Sequence, residues 1–380
     1  MTVLLFSYPH RSTTMPVSLK TVEFSVVDSA RCATWIPVQA DTPVSFLGVA
    51  LPGPIALRNL PSSQPPGSVI AARAARKPQD ARMSESALLL KESWQTLRSR
   101  VDSRMEEYLS LGADCPDDLL ESMKYSLLGG GKRLRPLLVM LACDACGGNL
   151  EIALPAACAV EMVHTYSLIH DDLPAMDDDA LRRGRPTAHV KFGESTAILA
   201  GDALLTLAFE VLVREVSPAD VAAACCADLA SGAGAVGMVA GQVADLQAQD
   251  SGEATLEELE AIHRRKTGRL MCAAVTMGAR IAGADSDTLQ SLTHYGKCVG
   301  LAFQIADDLL DVNGEEIRMG KGVRKDADLG KLTYPALLGK KESRRRAEEL
   351  IDDACRSIAA LEQRGQRLEA LAHFVLARDH

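Results

Sequence analysis

The sequence predicts an all-α fold for residues 83–380, and three observations support this. Apolar residues recur at three- and four-residue spacing over long stretches, which is the pattern of amphipathic helices. No stretch alternates convincingly between apolar and polar residues, as a strand would. Short segments rich in glycine, proline or aspartate separate the apolar runs. We therefore expect one helical domain, and no internal repeat at a fixed period is visible.

The predicted helices follow one another along the chain with short connections. The clearest cover 117–128, 154–170 and 195–216. The breaks between helices fall at 129–131, 147–149, 173–179, 250–253 and 283–287. Such short connections favour neighbouring helices that run antiparallel.

Residues 1–82 differ in composition from the rest of the chain. They hold 10 of the 17 prolines and carry 8 basic against 4 acidic residues, and they show no sustained helical or strand period. We expect them to be unstructured. Three interpretations stay open: an upstream extension from a start codon placed too early, an organelle-targeting peptide, or a disordered regulatory tail. The first is favoured because Met83 is followed by Ser84, which could cap a helix.

Composition excludes several classes of function. Aromatic residues make up only 4%, which argues against a single-stranded nucleic-acid binder, and the net charge of −9 argues against a general polyanion binder. No uninterrupted apolar run reaches the roughly 18 residues of a membrane-spanning helix. The ten scattered cysteines favour free thiols in a reducing compartment. We expect a cytoplasmic protein, or an organellar one if residues 1–82 are a transit peptide.

Two aspartate clusters dominate the chemistry. The first, DDLPAMDDD, begins at Asp171, and Pro174 should end the preceding helix so that Asp177 turns back toward Asp171. The second, FQIADDLLD over 303–311, lies within an apolar helix, where Asp307 and Asp311 share one face. Clustered carboxylates repel one another unless a cation neutralises them, and oxygen ligands of this kind suit Mg²⁺ bridging to phosphates.

Basic residues accompany both clusters. A flexible GGGKRLRP turn covers 129–136, Arg182 and Arg183 follow the first cluster, and a Lys266–Thr267 pair follows a basic run. Further lysines, Lys321 and Lys331 among them, follow the second cluster. Together these cations could neutralise two polyphosphate groups.

In this order and spacing, these motifs and GKGVRKDADLGKLTYP over 320–335 resemble those of the trans (head-to-tail) isoprenyl diphosphate synthases. The resemblance covers essentially all of 83–380 and none of 1–82, and the DDLPAMD spacing fits the bacterial farnesyl type. It implies an isoprenoid synthase bundle of antiparallel helices around a deep central cavity. The two aspartate motifs would face each other across the mouth of that cavity.

The resemblance also implies a role for each matched residue. The first Mg²⁺ site would use Asp171, Asp172 and Asp177, and the second Asp307, Asp308 and Asp311. Isopentenyl diphosphate would be bound by Lys132, Arg135, His164 and Arg183. The allylic diphosphate would be bound by Arg182 and by Lys321 and Lys331 of a closing loop. The allylic site would be lined by Lys266, Thr267 and Gln304, the last two stabilising an allylic carbocation by their oxygen dipoles.

The implied reaction is condensation of isopentenyl diphosphate with dimethylallyl or geranyl diphosphate. Tyr166, with Ser167 beside it, lies five residues before Asp171, so about 7.5 Å deeper along its helix. A large aromatic there would close the cavity below a C15 chain, which predicts (2E,6E)-farnesyl diphosphate as the main product. The alternative is geranylgeranyl diphosphate, with Tyr166 merely packed in the core.

Other enzyme classes share parts of this pattern. A class I terpene cyclase uses similar metal chemistry on one allylic substrate, but two aspartate motifs with GGKRLRP favour a second diphosphate site. A non-catalytic partner subunit usually loses acidic-motif residues, and this chain keeps them.

Homodimers are common in the family, and apolar residues on more than one face of 197–213 are compatible with a homodimer. Arg324 stands where many members have glycine, which could alter loop closure or add a phosphate contact.

Overall fold

The computed structural model describes residues 77–251, 255–313 and 333–377. All of them belong to the compact unit Gly67–His380, the other unit being Met1–Pro66. The α-helices, in chain order, are α1 (Lys77–Tyr108), α2 (Asp117–Leu127), α3 (Leu134–Ala145), α4 (Leu150–Asp171), α5 (Ala188–Phe192), α6 (Glu194–Glu215), α7 (Ala219–Ala233), α8 (Met238–Ser251), α9 (Leu256–His263), α10 (Arg269–Ile281), α11 (Ser286–Asn313), α12 (Tyr334–Leu338), α13 (Lys340–Ser357) and α14 (Gln366–Leu376). A 3₁₀ segment, Ala359–Gly365, precedes α14.

The all-α prediction is confirmed, and the helices expected over 117–128, 154–170 and 195–216 are present as α2, α4 and α6. The expected boundary between 82 and 83 falls inside α1, which begins at Lys77. The predicted site residues Lys321 and Lys331, and the unusual Arg324, lie outside the described residues.

Helix α4 lies at the centre of the bundle. It packs against α3, α6 and α10, and its middle is buried on all sides rather than on one face. Its first turn is capped by Asn149, whose side chain accepts a hydrogen bond from the Glu151 amide. Helix α11 is held between α10 and α13. The two helices that carry the aspartate clusters therefore both rest on α10.

Within the part of the chain that the structure describes, three segments are long and apolar enough to cross a membrane, namely Leu150–Asp171, Glu194–Glu215 and Ala219–Ala248. The expectation from uninterrupted apolar runs missed them, because hydropathy averaged over a helix tolerates a few polar positions. The apolar window of the first is 78% buried inside the bundle, which accounts for its composition. The windows of the other two are only 39% buried.

Among the described residues, one small β-hairpin interrupts the helical pattern, contrary to the expectation of no strand. Strands β1 (Leu181–Arg182) and β2 (Arg185–Pro186) pair antiparallel. Arg183 and Gly184 form the turn with φ of 53° and 73°, as a type I′ turn requires. Strands of two residues are too short to show a period in the sequence. This hairpin fixes the position of Arg182 and Arg183.

Candidate active site

The first aspartate cluster folds back on the end of α4. The Asp177 amide donates to the Asp171 carbonyl at 2.9 Å, and the Asp179 amide donates to the Asp172 carbonyl at 3.1 Å. The predicted return of Asp177 toward Asp171 is therefore confirmed at the level of the backbone. Helix α4 ends at Asp171, three residues before Pro174.

Asp171 is short of counter-charge. The pKa of its carboxyl is raised to about 6, chiefly by burial; Lys266 and Arg182 lower this pKa, and the neighbouring Asp177 and Asp172 raise it. A buried carboxylate beside like charges is stabilised by an added cation. This is the environment that a divalent metal would neutralise.

Asp172 has a different environment from Asp171. It is buried, and Arg182 Nε donates to both of its carboxylate oxygens at 2.8 and 2.9 Å. Arg182 Nη2 lies 2.6 Å from Asp172 Oδ1. This two-pronged pair joins the hairpin to the end of α4, so Asp172 and Arg182 already neutralise each other.

Arg133 plays a structural part in the basic GGGKRLRP turn. It caps α3 in the left-handed conformation, with φ of 52°. Its buried guanidinium donates to Asp102 at 2.8 Å, to Glu161 at 2.9 Å and to the Leu127 carbonyl at 2.8 Å. Of the cations in this turn, Arg133 is therefore committed to holding α1, α2 and α4 together.

Arg135 has no such compensation. Its Nε is buried and has no hydrogen-bond partner among the described residues. Burial lowers the pKa of Arg135, against the opposing effect of Glu161 and Asp307. A buried guanidinium donor without a partner is costly unless an anion binds there.

Arg183 and His164 lie close to Arg135. Arg183 Nη1 donates to the Gly130 carbonyl, and a Cβ on Gly131 would lie 2.9 Å from the same guanidinium. Burial and these arginines lower the pKa of His164 well below its usual value. His164 is therefore a neutral imidazole at neutral pH, and the surrounding excess of positive charge favours an anion.

The Lys266–Thr267 pair lies in a π-helical segment, Arg264–Gly268, between α9 and α10. Such wide turns recur at functional sites because they redirect side chains. Lys266 Nζ donates to Asp245 on α8 at 2.7 Å, and Thr267 is buried. Glycines let two helices approach this segment closely. A Cβ on Gly241 would lie 2.2 Å from the Lys266 amide nitrogen, and one on Gly300 would lie 2.7 Å from the Gly268 Cα.

The second aspartate cluster lies in α11. Asp308 is buried, and its Oδ2 accepts the Tyr334 amide at 2.9 Å and lies 3.3 Å from His263 Nε2. Asp308 thus joins α11 to the start of α12 and the end of α9. Asp307 and Asp311 are half-buried, and Asp307 contributes to the electrostatics of Arg135.

The remaining predicted residues surround this region. Gln304 is half-buried one turn before Asp308, and Lys132 is exposed at the start of its motif. Tyr166 is 8% exposed, with its ring edge-on to His170 at 5.4 Å between centroids. The Ser167 hydroxyl donates to the His164 carbonyl at 2.8 Å.

Gln242 is a further candidate site residue that the sequence analysis did not single out. Both amide atoms of Gln242 are buried and without a hydrogen-bond partner among the described residues. Gln242 lies on α8 directly after Gly241 and one turn before Asp245, the partner of Lys266. In the sequence, the feature that could have indicated Gln242 is a glutamine between apolar residues in MVAGQVADL.

Residues 116–368 match the family model described as polyprenyl synthetase. The chain is 47% identical over 270 residues to farnesyl diphosphate synthase of Bacillus subtilis (strain 168), which covers 70% of this chain and 91% of that protein. It is 45% identical over 267 residues to geranylgeranyl diphosphate synthase of Cyanophora paradoxa, covering 70% and 89%. A solved FPP/GFPP synthase from Zymomonas mobilis superposes with a TM-score of 0.69 at 36% identity, covering 76% of this chain and 99% of that chain.

Proposed function

Because the chain belongs to the polyprenyl synthetase family and is a prenyltransferase that elongates trans-prenyl chains, we propose that its main product is (2E,6E)-farnesyl diphosphate. Dimethylallyl or geranyl diphosphate would be the allylic substrate and isopentenyl diphosphate the second substrate. Relatives named for C15 and for C20 products match at similar identity, so similarity does not decide between them. The observation that carries the proposal is the large, fixed ring of Tyr166 below Asp171.

The basic side chains near the two aspartate clusters form two groups, and this supports two substrate sites. Arg135, with His164 and Arg183, offers donors to one diphosphate, since Arg135 Nε has no partner among the described residues. Lys266 and Arg182 lie near Asp171 and would face the allylic diphosphate. Lys132 would add a further positive charge at the exposed edge of the first group.

Mg²⁺ suits the clustered carboxylate oxygens that the two aspartate motifs offer. Asp171 and Asp177 would hold it at the end of α4, and Asp307 and Asp311 would hold it on α11. When bound, the metal supplies Lewis-acid neutralisation of the departing diphosphate. Asp172 is paired with Arg182, and Asp308 contacts α9 and α12. In this proposal, Asp172 and Asp308 are therefore positioning residues.

The chain's own residues then act by binding and by electrostatics. The bond from the allylic C1 to the diphosphate oxygen breaks, and the isopentenyl double bond attacks C1. A proton leaves the product, with the released diphosphate as its acceptor. Thr267 and Gln304 oppose the transient positive charge with their oxygen dipoles. No protein nucleophile is needed. Burial and the neighbouring arginines lower the pKa of His164, so its imidazole is a weak base and would bind substrate rather than take up the proton.

Tyr166 is held firmly enough to block a growing chain. Its ring packs edge-on against His170, and His170 Nε2 lies 3.0 Å from the Ile198 carbonyl of α6. Helix α6 approaches so closely that a Cβ on Gly201 would lie 2.3 Å from the same nitrogen. His170 therefore has no room to move toward α6, and the tyrosine ring behind it stays in place.

The test is product length with each allylic primer, labelled isopentenyl diphosphate and Mg²⁺. We expect the wild type to stop at C15, and Tyr166→Ala to give C20 or longer products. Tyr166→Phe is the matched control, since it keeps the ring and should keep C15. A wild type that stops at C20, or C15 output unchanged in Tyr166→Ala, would contradict the assignment of Tyr166 as the barrier. Absence of any condensation would contradict the activity itself.

A homodimer is the second part of the proposal. Helix α6 exposes Ile198, Leu199 and Val213, the last two being 58% and 64% exposed. Leu199 and Val213 are fourteen residues apart, so they lie on nearly the same face of the helix. A second copy would cover this face. Light scattering should give a dimer for the wild type and a monomer for Leu199→Glu, whereas Leu111→Glu, at an exposed apolar residue elsewhere, should stay dimeric. A monomeric wild type would contradict the proposed homodimer.

A further inference from the structure

A second group of possible metal ligands lies away from the aspartate clusters. His294 and Cys298 are one turn apart on α11, and Asp353 faces them from α13. His294 Nε2 lies 2.9 Å from Asp353 Oδ2, and Cys298 Sγ lies 3.5 Å from that nitrogen and 3.6 Å from that oxygen. Three different ligand atoms therefore converge on one point between two packed helices.

This convergence is not that of a nucleophilic triad. In a triad the imidazole uses one nitrogen for the nucleophile and the other for the carboxylate. Here both Cys298 and Asp353 approach the same nitrogen, Nε2 of His294. No proton can pass through the ring from thiol to carboxylate in this arrangement.

The distances match those around a tetrahedral zinc ion. Ideal bond lengths place nitrogen and oxygen ligands about 3.3 Å apart, and sulfur about 3.5 Å from either. The two contacts of Cys298 Sγ, at 3.5 and 3.6 Å, already have this spacing. The contact between His294 and Asp353 is shorter by about 0.4 Å, as a direct hydrogen bond is, and would open slightly around an ion.

We propose that His294, Cys298 and Asp353 form a binding site for a borderline-soft divalent transition metal of the Zn²⁺ class, separate from the Mg²⁺ sites. A thiolate and a carboxylate together balance the charge of such an ion, and an imidazole completes a three-ligand set that hard Mg²⁺ does not favour. Cys298 is buried, Asp353 is half-buried and His294 is exposed, so water can fill the fourth position from the side of His294.

Binding carries a definite proton balance. A metal ion binds a cysteine as the thiolate, so the proton on Cys298 Sγ has to leave. The metal replaces this proton, and one proton is released for each ion bound. Affinity should therefore increase with pH.

The site lies well apart from the catalytic carboxylates. Cys298 precedes Asp307 by nine residues on α11, a rise of about 13.5 Å. A metal there would connect the first half of α11 to α13. It would brace the helix that carries the second aspartate cluster without touching the substrates.

Cobalt substitution of the full-length protein tests the site with a signal that oxygen ligands cannot give. With excess Mg²⁺ occupying the aspartate sites, we expect Co²⁺ to produce a thiolate-to-cobalt charge-transfer absorption that saturates at one equivalent per chain. Added Zn²⁺ should abolish it. Cys298→Ser should remove the band. Cys355→Ser is the matched control and should keep the band. Cys355 Sγ lies 3.8 Å from His373 Nε2, but among the described residues this pair is not part of a three-ligand group.

His294→Gln provides an independent variant at an exposed position, where folding is not at risk. It should weaken Co²⁺ binding at least about tenfold. The proposal is overturned if the wild type shows no band, if Cys298→Ser keeps it, or if His294→Gln binds Co²⁺ as the wild type does. None of these outcomes bears on the condensation activity, which the product assay reports separately.

Discussion

Replacing the buried Arg133 by methionine should destabilise the fold strongly while leaving every proposed substrate contact in place. Arg133 is 3% exposed and makes three hydrogen bonds, two of them to carboxylates. Its loss would leave Glu161, also 3% exposed, as a buried carboxylate without its hydrogen-bonded cation. Breaking one partner of a buried pair costs about 3–5 kcal/mol, and we expect the free energy of unfolding to fall by that amount.

Urea unfolding followed by circular dichroism measures the change. Arg98→Ala is the matched control, because Arg98 also pairs with Asp102, at 3.4 Å, but with a side chain that is 43% exposed. An exposed pair of this kind is worth about 0–1 kcal/mol. Arg133→Met combined with Glu161→Gln should recover more than about 1 kcal/mol relative to Arg133→Met alone, because it removes the stranded charge. Equal losses in Arg133→Met and Arg98→Ala would refute the structural role of Arg133.

Asp171→Asn should stabilise the metal-free protein at neutral pH by up to about 3 kcal/mol, since burial raises the Asp171 pKa from 3.8 to about 6. The folded state then binds the proton more tightly, so in EDTA the wild type should lose thermal stability as the pH rises through about 6. Asp171→Asn should not show this loss, and a gain of equal size in the exposed Asp178→Asn would contradict the assignment. His164→Gln should raise the KM for isopentenyl diphosphate about 2–10-fold without changing the shape of the pH–rate profile, because the imidazole is already neutral; a lost ionisation in that profile would contradict this. Gly241→Ala should lower kcat at least tenfold in steady-state assays, since its Cβ would lie 2.2 Å from the Lys266 backbone, and wild-type activity would show that the π segment can move.

Much of this architecture could be predicted from sequence because it depends on local rules. Helical periodicity located α2, α4 and α6 to within a few residues, and Pro174 indicated that Asp177 would return toward Asp171. The motif residues at the ends of α4 and within the π segment are close enough for Lys266 to influence the Asp171 carboxyl. The first two inferences required only spacing along one stretch of chain, whereas the approach of Lys266 to Asp171 was implied by the family resemblance.

Pairing between distant segments could not be predicted in the same way. Arg133 and Arg135 stand two residues apart in one motif, yet only Arg133 reaches carboxylates, on α1 and α4. Both carry the same charge within one short motif. The direction of each side chain depends on the left-handed cap at Arg133, which reverses the chain just before α3 begins.

The π-helical segment Arg264–Gly268 could not be predicted from the sequence for a similar reason. RRKTG reads as ordinary helix, and its wider turn becomes necessary only when α8 and α11 approach through Gly241 and Gly300. The Arg183–Gly184 turn was likewise too short to show a strand pattern.

The charges of the site fall into two groups, and the division explains how a stable fold can hold a strongly charged centre. Arg133 and the Arg182–Asp172 pair are satisfied within the protein, so they fix the helices and the hairpin whether or not substrate is present. Arg135 and Asp171 remain uncompensated, and burial shifts the pKa of each toward its neutral form. Substrate diphosphate and metal would supply the missing charges, so the free energy that these buried charges cost would be recovered on binding. A variant that satisfies Asp171 internally should therefore be more stable and less active, whereas one that breaks the Arg133 network should lose stability first.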